Sequence, residues 1–218
     1  MRLRRIPGAK EAVKIHPLVL QEQEAIALRG AWRKEIDSPE LFLEIGMGRG
    51  SFIVGQAAAN PDTGYIGIEF REDMVYLAAK RLELPEAPKT DGTTLNNLRF
   101  LWGNAMYLSQ MFDDEELDRI YLNFSDPWPK SRHDKRRLTH EFFLTQYHNI
   151  LKPGGCLFFK TDNRDFFEWS LLSFDKSRFE FVNKNYRSPL PADGIISEYE
   201  KRYRERGQPI YSAEYKKL

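Results

Sequence analysis

Short apolar runs alternate along this chain with segments that have the spacing of amphipathic helices, and this alternation constrains the fold most. The runs predict strands over 41–45, 65–70, 98–103, 118–124, 155–161, 179–184 and 208–217. Helices are predicted over 50–59, 71–84, 139–151 and 163–175, with a short one after residue 103. Such alternation is typical of a doubly wound α/β sheet. We therefore expect a mostly parallel, seven-stranded sheet with helices on both faces and an antiparallel C-terminal edge strand.

Capping and helix-breaking residues indicate where several of these elements begin and end. Thr139 is expected to cap the helix that Pro153-Gly154 stops, and Asn163 to cap the helix that follows. Residues 86–97 are rich in Pro, Gly, Thr and Asn, and they predict an exposed loop. Residues 1–35 are expected to form a basic arm and helical extension, and residues 36–218 a single domain.

The composition excludes several classes of protein. The formal net charge of the 218 residues is only +1, so nucleic-acid affinity would have to come from local patches. One cysteine cannot form an internal disulfide, and it favours a reducing compartment. The basic N-terminus lacks the apolar run of a secretory signal, and no segment is apolar enough to cross a membrane. We expect a cytoplasmic protein without a membrane partner.

Unusual polar residues and glycines follow the predicted strands one after another. They are Gly46, Gly48 and Gly50 after the first strand, Glu69 on the second, Asn104 after the third, Asp126 after the fourth and Asp162 after the fifth. In an open α/β sheet, ligands bind outside the carboxyl ends of the strands. The recurrence of these residues therefore predicts a binding site at that edge.

The segment EIGMGRGSF (44–52) suits a cationic ligand better than a pyrophosphate. Its spacing is G-x-G-x-G, whereas a nicotinamide-binding loop would have a third glycine where Ser51 stands. Glu44 precedes the glycines, and an acid there suits a sulfonium with an amino-acid tail. Glu69 is placed to accept both ribose hydroxyls of a nucleoside cofactor. An ordinary strand–helix turn, a solvated acid at Glu69 and a helix N-cap at Asn104 are the alternatives.

A carboxylate, a tryptophan and a basic run are adjacent in YLNFSDPWPKSRHDKRR (121–137). Pro127 and Pro129 restrict the backbone around Trp128, whose indole either stacks on a base or packs into the protein. Phosphate contacts are predicted for the basic run, whose alternative is a solvated surface. The residues concerned are Lys130, Arg132, His133, Lys135, Arg136 and Arg137, with Arg2, Arg4 and Arg5 as a second cluster.

The segment NFSDPWPKSRHDKRRL (123–138) resembles a motif of the tRNA (guanine-N7-)-methyltransferase family. FKTDN (159–163), SEYE (197–200) and GQPIY (207–211) are similar to further segments of that family, so the resemblance extends over most of the chain. It implies a Rossmann-like class I fold and methyl transfer from S-adenosyl-L-methionine, which leaves S-adenosyl-L-homocysteine. The expected product is 7-methylguanosine in the variable loop of tRNA (tRNA position 46).

The resemblance also implies roles for individual residues. The cofactor site would comprise Glu44, Gly46, Gly48, Gly50, Glu69, Asn104 and Asp126, with Asp126 also catalytic. The target guanine would be bound by Lys130, Asp162, Ser197, Glu198, Tyr199 and Glu200. The family usually has Asp in place of Asn104 and often Thr in place of Ser197, so we expect altered affinity rather than lost activity. No metal and no obligate protein partner are expected, and the chain is expected to be a monomer or homodimer.

Other readings remain open from the sequence. They are a different S-adenosylmethionine-dependent RNA methyltransferase, an amino-group methyltransferase acting on adenine or protein, and a non-catalytic RNA-binding module on the same fold. The amino-group enzymes typically have Asn/Asp-Pro-Pro-aromatic, whereas Trp128 directly follows Pro127 here. Intact Glu44, Glu69 and Asp126 argue against a module that has lost the reaction.

Overall fold

An eight-stranded sheet organises the chain in the computed structural model, which describes residues 6–84 and 95–218. The strands are β1 (Val19–Gln21), β2 (Glu40–Ile45), β3 (Thr63–Glu69), β4 (Leu98–Trp102), β5 (Leu117–Asn123), β6 (Leu151–Thr161), β7 (Phe179–Asn185) and β8 (Tyr211–Lys217). Their order across the sheet is β1-β4-β3-β2-β5-β6-β8-β7. Only the pairs that β8 forms with β6 and β7 are antiparallel among these strands. The predicted α/β class is confirmed.

Helices connect the strands and cover both faces of the sheet. They are α1 (Ala9–Ile15), α2 (Glu22–Ala27), α3 (Trp32–Ile36), α4 (Ser51–Ala59), α5 (Glu72–Glu83), α6 (Leu108–Met111), α7 (Glu141–Ile150), α8 (Arg164–Asp175) and α9 (Glu198–Glu205). Short 3₁₀ helices occupy Ala105–Tyr107 and Ser131–Arg136. No helix within 6–84 or 95–218 is long and apolar enough to cross a bilayer.

Two features of the sheet differ from the prediction of seven strands. The eighth is β1, a three-residue strand whose Val19 pairs in parallel with Phe100 of β4. Its shortness explains why no alternating pattern revealed it. The predicted edge position of the C-terminal strand is also wrong, because β8 lies between β6 and β7. The edge strand is β7, whose residues after Phe179 are mostly exposed.

The helix that precedes β6 has different boundaries from those predicted. His140, rather than Thr139, caps α7, since its Nδ1 accepts a hydrogen bond from the backbone of Phe142 at 3.2 Å. Thr139 is fully buried, and its hydroxyl lies 2.8 Å from that of Ser170. Pro153-Gly154 does not stop the helix but lies within β6, where a register shift accommodates a residue that cannot donate a backbone hydrogen bond.

The predicted loop over 86–97 lies mostly outside the described residues; of its last three residues, Asn96 is exposed, whereas Leu95 and Asn97 are buried. Leu95 is fully buried. The side-chain amide of buried Asn97 donates hydrogen bonds to the carbonyls of Ala57, Asn60 and Thr63, at 2.9, 3.1 and 2.9 Å. Asn97 therefore fixes the turn between α4 and β3. The Arg2, Arg4 and Arg5 cluster also lies outside the described residues.

Side chains of β2 alternate between two buried clusters, one on each face of the sheet. Leu43 packs in the cluster that contains Trp32, and Phe42 packs in the cluster that contains Phe52 and Phe100. Burial of both faces is typical of a central parallel strand. The consequence for function is that polar groups are placed at the carboxyl ends of β2, β3, β4, β5 and β6, which meet at one edge.

Candidate active site

The glycine loop after β2 leaves open space in front of its backbone. Gly46 and Gly48 have φ angles of 77° and 55°, and a Cβ atom on either would meet nothing within 4 Å. The backbone N–H of Gly46 donates to the carbonyl of Ile68 at 2.9 Å, which holds the loop against β3. Gly50 is different, since a Cβ there would lie 3.0 Å from that of Ala78. Gly46 and Gly48 form an open cradle, whereas Gly50 permits close packing of α5.

Glu44 places a buried carboxyl beside this loop. It is 2% exposed, and its Oε1 accepts a hydrogen bond from the side-chain amide of Asn123 at 3.0 Å. Its Oε2 is buried without any hydrogen-bond partner among the residues that the structure describes. Burial raises the pKa of Glu44 to about 8. A buried carboxyl with one unpaired oxygen fits a cationic ligand.

Glu69 contacts the same loop from the end of β3. Its Oε2 accepts from the backbone N–H of Gly48 at 3.3 Å, and its Oε1 accepts from the N–H of Arg71 at 3.0 Å. The side chain is 8% exposed, and burial raises its pKa above the ordinary value. The structure therefore places Glu69 beside the glycine cradle, as the predicted cofactor site requires.

Asn104 lies after β4 with an exposed side chain. Its Oδ1 accepts from the backbone of Met106 at 3.0 Å and caps the short 3₁₀ helix there. Its own backbone N–H donates to Oε2 of Glu22 at 3.2 Å. The N-cap alternative is therefore the one that the structure shows. The side-chain amide nitrogen of Asn104 makes no hydrogen bond within 6–84 or 95–218.

Asp126 is exposed at the carboxyl end of β5, in a loop whose backbone is strained. Phe124 and Trp128 on either side have φ angles of 55° and 41°, which L residues rarely adopt. The ring of Phe124 stacks on Tyr203 with 6.0 Å between centroids. Within the described part of the chain, the Asp126 carboxylate makes no hydrogen bond and no ion pair. It is therefore free to face a ligand.

The exposed basic residues surround Trp128. The Trp128 ring is half-buried, and the guanidinium of Arg136 lies 4.9 Å from its centroid. The ring of His133 packs edge-on against it, with 5.6 Å between the two centroids. Nε of Arg132 lies 3.4 Å from Nε2 of His133. Arg132, Arg136, Lys130 and Lys135 are all exposed. We call these four cations the exposed basic run. They form a surface on the segment that follows Asp126 in the sequence.

Arg137 does not belong to this surface, because its side chain contacts the protein; its RNA contact stays a prediction. Its Nε donates to the carbonyl of Pro127 at 2.9 Å and its Nη2 to that of Trp128 at 3.1 Å. Its side chain is 9% exposed and pairs with Asp134 at 3.0 Å. The guanidinium also lies 4.3 Å from the centroid of Trp169. The neighbouring arginines in the sequence gave no signal for this difference.

The start of α9 lies against the glycine loop. Ser197 caps the helix by accepting from the backbone N–H of Glu200 at 3.1 Å. The backbone N–H of Glu198 donates to Oγ of Ser51 at 3.1 Å, and its carboxylate pairs with Arg81 and, at 4.0 Å, with Arg49. Because Arg81 already pairs with the Glu198 carboxylate, this carboxylate is not unpaired when no guanine is bound.

Two further residues predicted to bind guanine are also engaged. Glu200 is 2% exposed, and it pairs with Lys160 at 3.1 Å and with Arg204. Asp162 lies close to the hydroxyl of Tyr203, since burial and then this carboxylate raise the pKa of Tyr203. Glu200 is therefore a buried carboxylate at the centre of an ion cluster with two partly exposed cations, which is a structural role that the sequence did not indicate. Tyr199, in contrast, is 52% exposed.

Asn123, Arg81 and Tyr203 are site residues that the sequence prediction missed. Asn123 is the first residue of the segment 123–138 that carries the family resemblance, which was the one available signal for it. Arg81 and Tyr203 become neighbours of the site only through helices α5 and α9. Within the part of the chain that the structure describes, no group of three or more His, Cys, Asp or Glu residues is placed to bind a metal.

Comparison with known proteins shows the family of this chain. Residues 38–213 match the model of a family described as "Putative methyltransferase". A tRNA (guanine-N(7)-)-methyltransferase of Brevibacillus brevis is 40% identical over 218 residues, covering 98% of this chain and 97% of the relative. An enzyme of the same name from Bacillus licheniformis is 40% identical, covering 98% of each chain.

Solved structures of low sequence identity share the fold. The 16S rRNA methyltransferase KamB aligns with a TM-score of 0.64 at 13% identity, covering 90% of this chain and 94% of that one. The aminoglycoside resistance methyltransferase NpmB1 aligns with a TM-score of 0.58 at 18% identity, covering 85% and 91%. Both are similar in architecture, which confirms the predicted Rossmann-like class I methyltransferase fold.

Proposed function

The chain belongs to the tRNA (guanine-N(7)-)-methyltransferase family, and on that premise we propose that it methylates N7 of a guanine in tRNA. The observation that carries the proposal is the pairing of two carboxylates at one sheet edge. Among the described residues, Glu44 is buried beside an open glycine cradle with one oxygen unpaired, and Asp126 is exposed without a partner. The first suits a cationic methyl donor, and the second suits the site of transfer.

The residues present fit S-adenosylmethionine. Glu44 would face its positive charge, because the unpaired Oε2 has no other cation within 6–84 or 95–218 to satisfy it. Gly46 and Gly48 allow close approach to their backbone, where a side chain would otherwise project. Glu69, whose oxygens already accept two backbone hydrogen bonds, is proposed to bind the ribose hydroxyls with its remaining lone pairs.

The chemistry requires orientation more than proton transfer. When bound, S-adenosylmethionine supplies an electrophilic methyl group on a sulfonium. Guanine N7 carries an in-plane lone pair and no proton, so the protein needs no strong general base. The main task of the site is to align the nucleophile, which is catalysis by proximity. Asp126 is proposed to stabilise the positive charge that develops on the guanine ring.

Guanine selection is proposed to come from acceptors around α9 and β6. Asp162 carries a carboxylate at the end of β6, and its contact with the Tyr203 hydroxyl leaves further lone pairs for the guanine N1–H and N2 amino group. Glu198 would serve in the same way only after exchange of its partner Arg81. Guanine presents donors at both positions, whereas adenine does not.

The tRNA backbone is proposed to bind the exposed basic run. Arg132, Arg136, Lys130 and Lys135 lie within ten residues of Asp126 in the sequence, and their contacts with phosphates would give affinity without reading sequence. We propose a guanine of the variable loop as the target. A base in a folded tRNA would have to be exposed or flipped from its stack before transfer.

A methyl-transfer assay tests this function. Purified protein would be incubated with labelled S-adenosylmethionine and, separately, unmodified tRNA, DNA or a protein mixture. The polymers would then be digested and the products identified by mass. We expect label only in 7-methylguanosine from tRNA. Label on adenine or protein would overturn the assigned base, and binding of tRNA without transfer would favour a non-catalytic module.

A further inference from the structure

We propose that Arg137 is a positioning residue that holds the backbone on which Asp126 is mounted. This inference rests on the proposed function, and it assigns a task to a residue that the basic run would otherwise place on tRNA. The guanidinium donates to two successive carbonyls, those of Pro127 and Trp128, at 2.9 and 3.1 Å. Pro127 directly follows Asp126, so the constraint acts one residue from the carboxylate.

The loop needs such a constraint because its backbone is strained. Trp128 has a φ angle of 41°, a conformation that costs of order 1–3 kcal/mol for an L residue. Strained conformations persist only where surrounding contacts determine them. Two hydrogen bonds from a charged donor to the carbonyls at and before this position are suited to that task, since charge-assisted bonds are stronger than neutral ones.

Arg137 is itself fixed to a rigid element. Its guanidinium lies 4.3 Å from the centroid of Trp169 and 5.9 Å from that of Phe166, both on α8, and pairs with Asp134 at 3.0 Å. The arginine thus joins the loop after β5 to the helix after β6. A planar guanidinium can stack and donate along two directions together, which a lysine ammonium cannot do.

Burial separates Arg137 from its neighbours in the basic run. Its side chain is 9% exposed, and both Nε and Nη2 donate to backbone carbonyls of the protein. Arg132 and Arg136 are exposed, and no carboxylate pairs with either among the described residues. A phosphate could reach those two without displacing an existing contact, whereas Arg137 would have to release Pro127 or Trp128 first.

The test is a single-turnover measurement on Arg137→Lys with saturating tRNA and S-adenosylmethionine. We expect the transfer rate constant to fall about 10- to 100-fold through misplacement of Asp126. The tRNA Kd and its salt dependence should stay within about twofold of wild type, because the charge is retained and no phosphate contact is lost. Arg178→Lys, the same change at an exposed arginine beside β7, is the matched control and should leave the rate unchanged.

Two results would overturn the inference. One is a wild-type rate constant for Arg137→Lys, and the other is a raised tRNA Kd with a flattened salt slope at an unaltered rate constant. Thermal unfolding would show whether the variant is folded at the assay temperature. If it is not, Trp169→Leu replaces it, since that change removes the stacked ring and keeps the arginine. A several-fold lower rate constant at unchanged tRNA Kd is then expected, and an unchanged rate constant would overturn the inference.

The wild-type protein in the same assay separates this inference from the proposed function. If wild type transfers label to tRNA guanine and Arg137→Lys does so equally well, only the role of Arg137 fails. If wild type transfers nothing to tRNA, the proposed function fails, and the positioning role fails with it.

Discussion

The side-chain amide of Asn123 donates a hydrogen bond to Oε1 of Glu44 over 3.0 Å, while Oε2 of the same carboxyl is buried and has no hydrogen-bond partner among the described residues. Neutral hydrogen bonds do not offset the desolvation of the charge, so the pKa of Glu44 rises to about 8. The carboxyl is therefore mostly protonated at neutral pH without a ligand. A cation that binds beside Oε2 would favour its ionised form.

Glu44→Gln should change how stability depends on pH. In the folded protein Glu44 keeps its proton up to a pH of about 8, whereas the unfolded chain releases it near 4.5. Its contribution to stability is thus fully present below pH 4.5 and is lost as the pH rises through 8. In urea unfolding, the wild-type free energy of unfolding should be lower at pH 8.5 than at pH 5 by a few kcal/mol, and Glu44→Gln should make this difference smaller.

Glu40→Gln is the matched control for that experiment, because Glu40 is exposed on the same strand. It should keep the wild-type pH dependence. If the free energy of unfolding changed equally with pH in Glu44→Gln and wild type, Glu44 would be ionised in the folded protein from pH 5 to pH 8.5.

Asp126→Asn should abolish most of the transfer and leave the fold intact. Asp126 is exposed and has no hydrogen bond or ion pair within 6–84 or 95–218, so the change removes charge without breaking a contact. We expect the single-turnover rate constant to fall by about 100-fold or more and the thermal midpoint to stay unchanged. Asp114→Asn, at an exposed acid before β5, should leave both unchanged. Near-normal turnover of Asp126→Asn would remove the catalytic role.

Arg132→Ala with Arg136→Ala should weaken tRNA binding and leave cofactor binding intact. Each lost phosphate contact should lower the slope of log K against log salt by about one unit. Binding titrations at several salt concentrations measure this slope. Lys176→Ala removes an exposed cation at the far end of α8 and serves as the control. A wild-type slope in the double variant would move the RNA surface elsewhere.

Glu200→Gln should destabilise the fold rather than act only on the substrate. The buried carboxylate pairs with Lys160 and Arg204, whose side chains are partly exposed, so its loss removes charge-assisted hydrogen bonds worth about 1.5–3 kcal/mol. Chemical unfolding should report that loss, while Glu205→Gln on the exposed side of α9 should report almost none. Lost transfer at unchanged stability would instead support the guanine contact that the family resemblance implies.

Alanine substitutions should divide the three loop glycines into two kinds. Gly48→Ala projects a methyl group into open space, so we expect weaker S-adenosylmethionine binding with a stability loss of about 1–2 kcal/mol from its φ of 55°. Gly50→Ala adds a contact of 3.0 Å to Cβ of Ala78 and should lose more stability. Calorimetry and thermal unfolding measure the two effects. Equal stability losses would mean that α5 shifts to accommodate the methyl group.

The order of elements could be predicted because each central strand is a mostly apolar run. Residues 41–45 and 65–69 are buried on both faces of the sheet, and such strands are conspicuous in a sequence. The short strand β1 could not be found that way, since three residues show no period. The place of β8 is a long-range pairing, on which its local sequence has no bearing.

The site could be predicted as a set of residues but not as a set of contacts. Glu44, Glu69 and Asp126 do meet at one edge, because parallel strands direct their ends there. The family resemblance implies ligand contacts for Arg137 and Glu200, but both side chains are buried against other parts of the protein. Their burial depends on Trp169 and Lys160, which lie 32 and 40 residues away along the chain. Composition and residue spacing do not predict contacts between residues so far apart in the sequence.

The position of β8 between β6 and β7 has a consequence for synthesis on the ribosome. Residues 179–185 leave the ribosome before residues 211–217, yet β7 joins the sheet only through β8. Until the last strand is translated, β6 presents an open edge and β7 has no strand to pair with. Closure of the sheet therefore waits for β8, and a nascent chain stalled before β8 would be prone to aggregation.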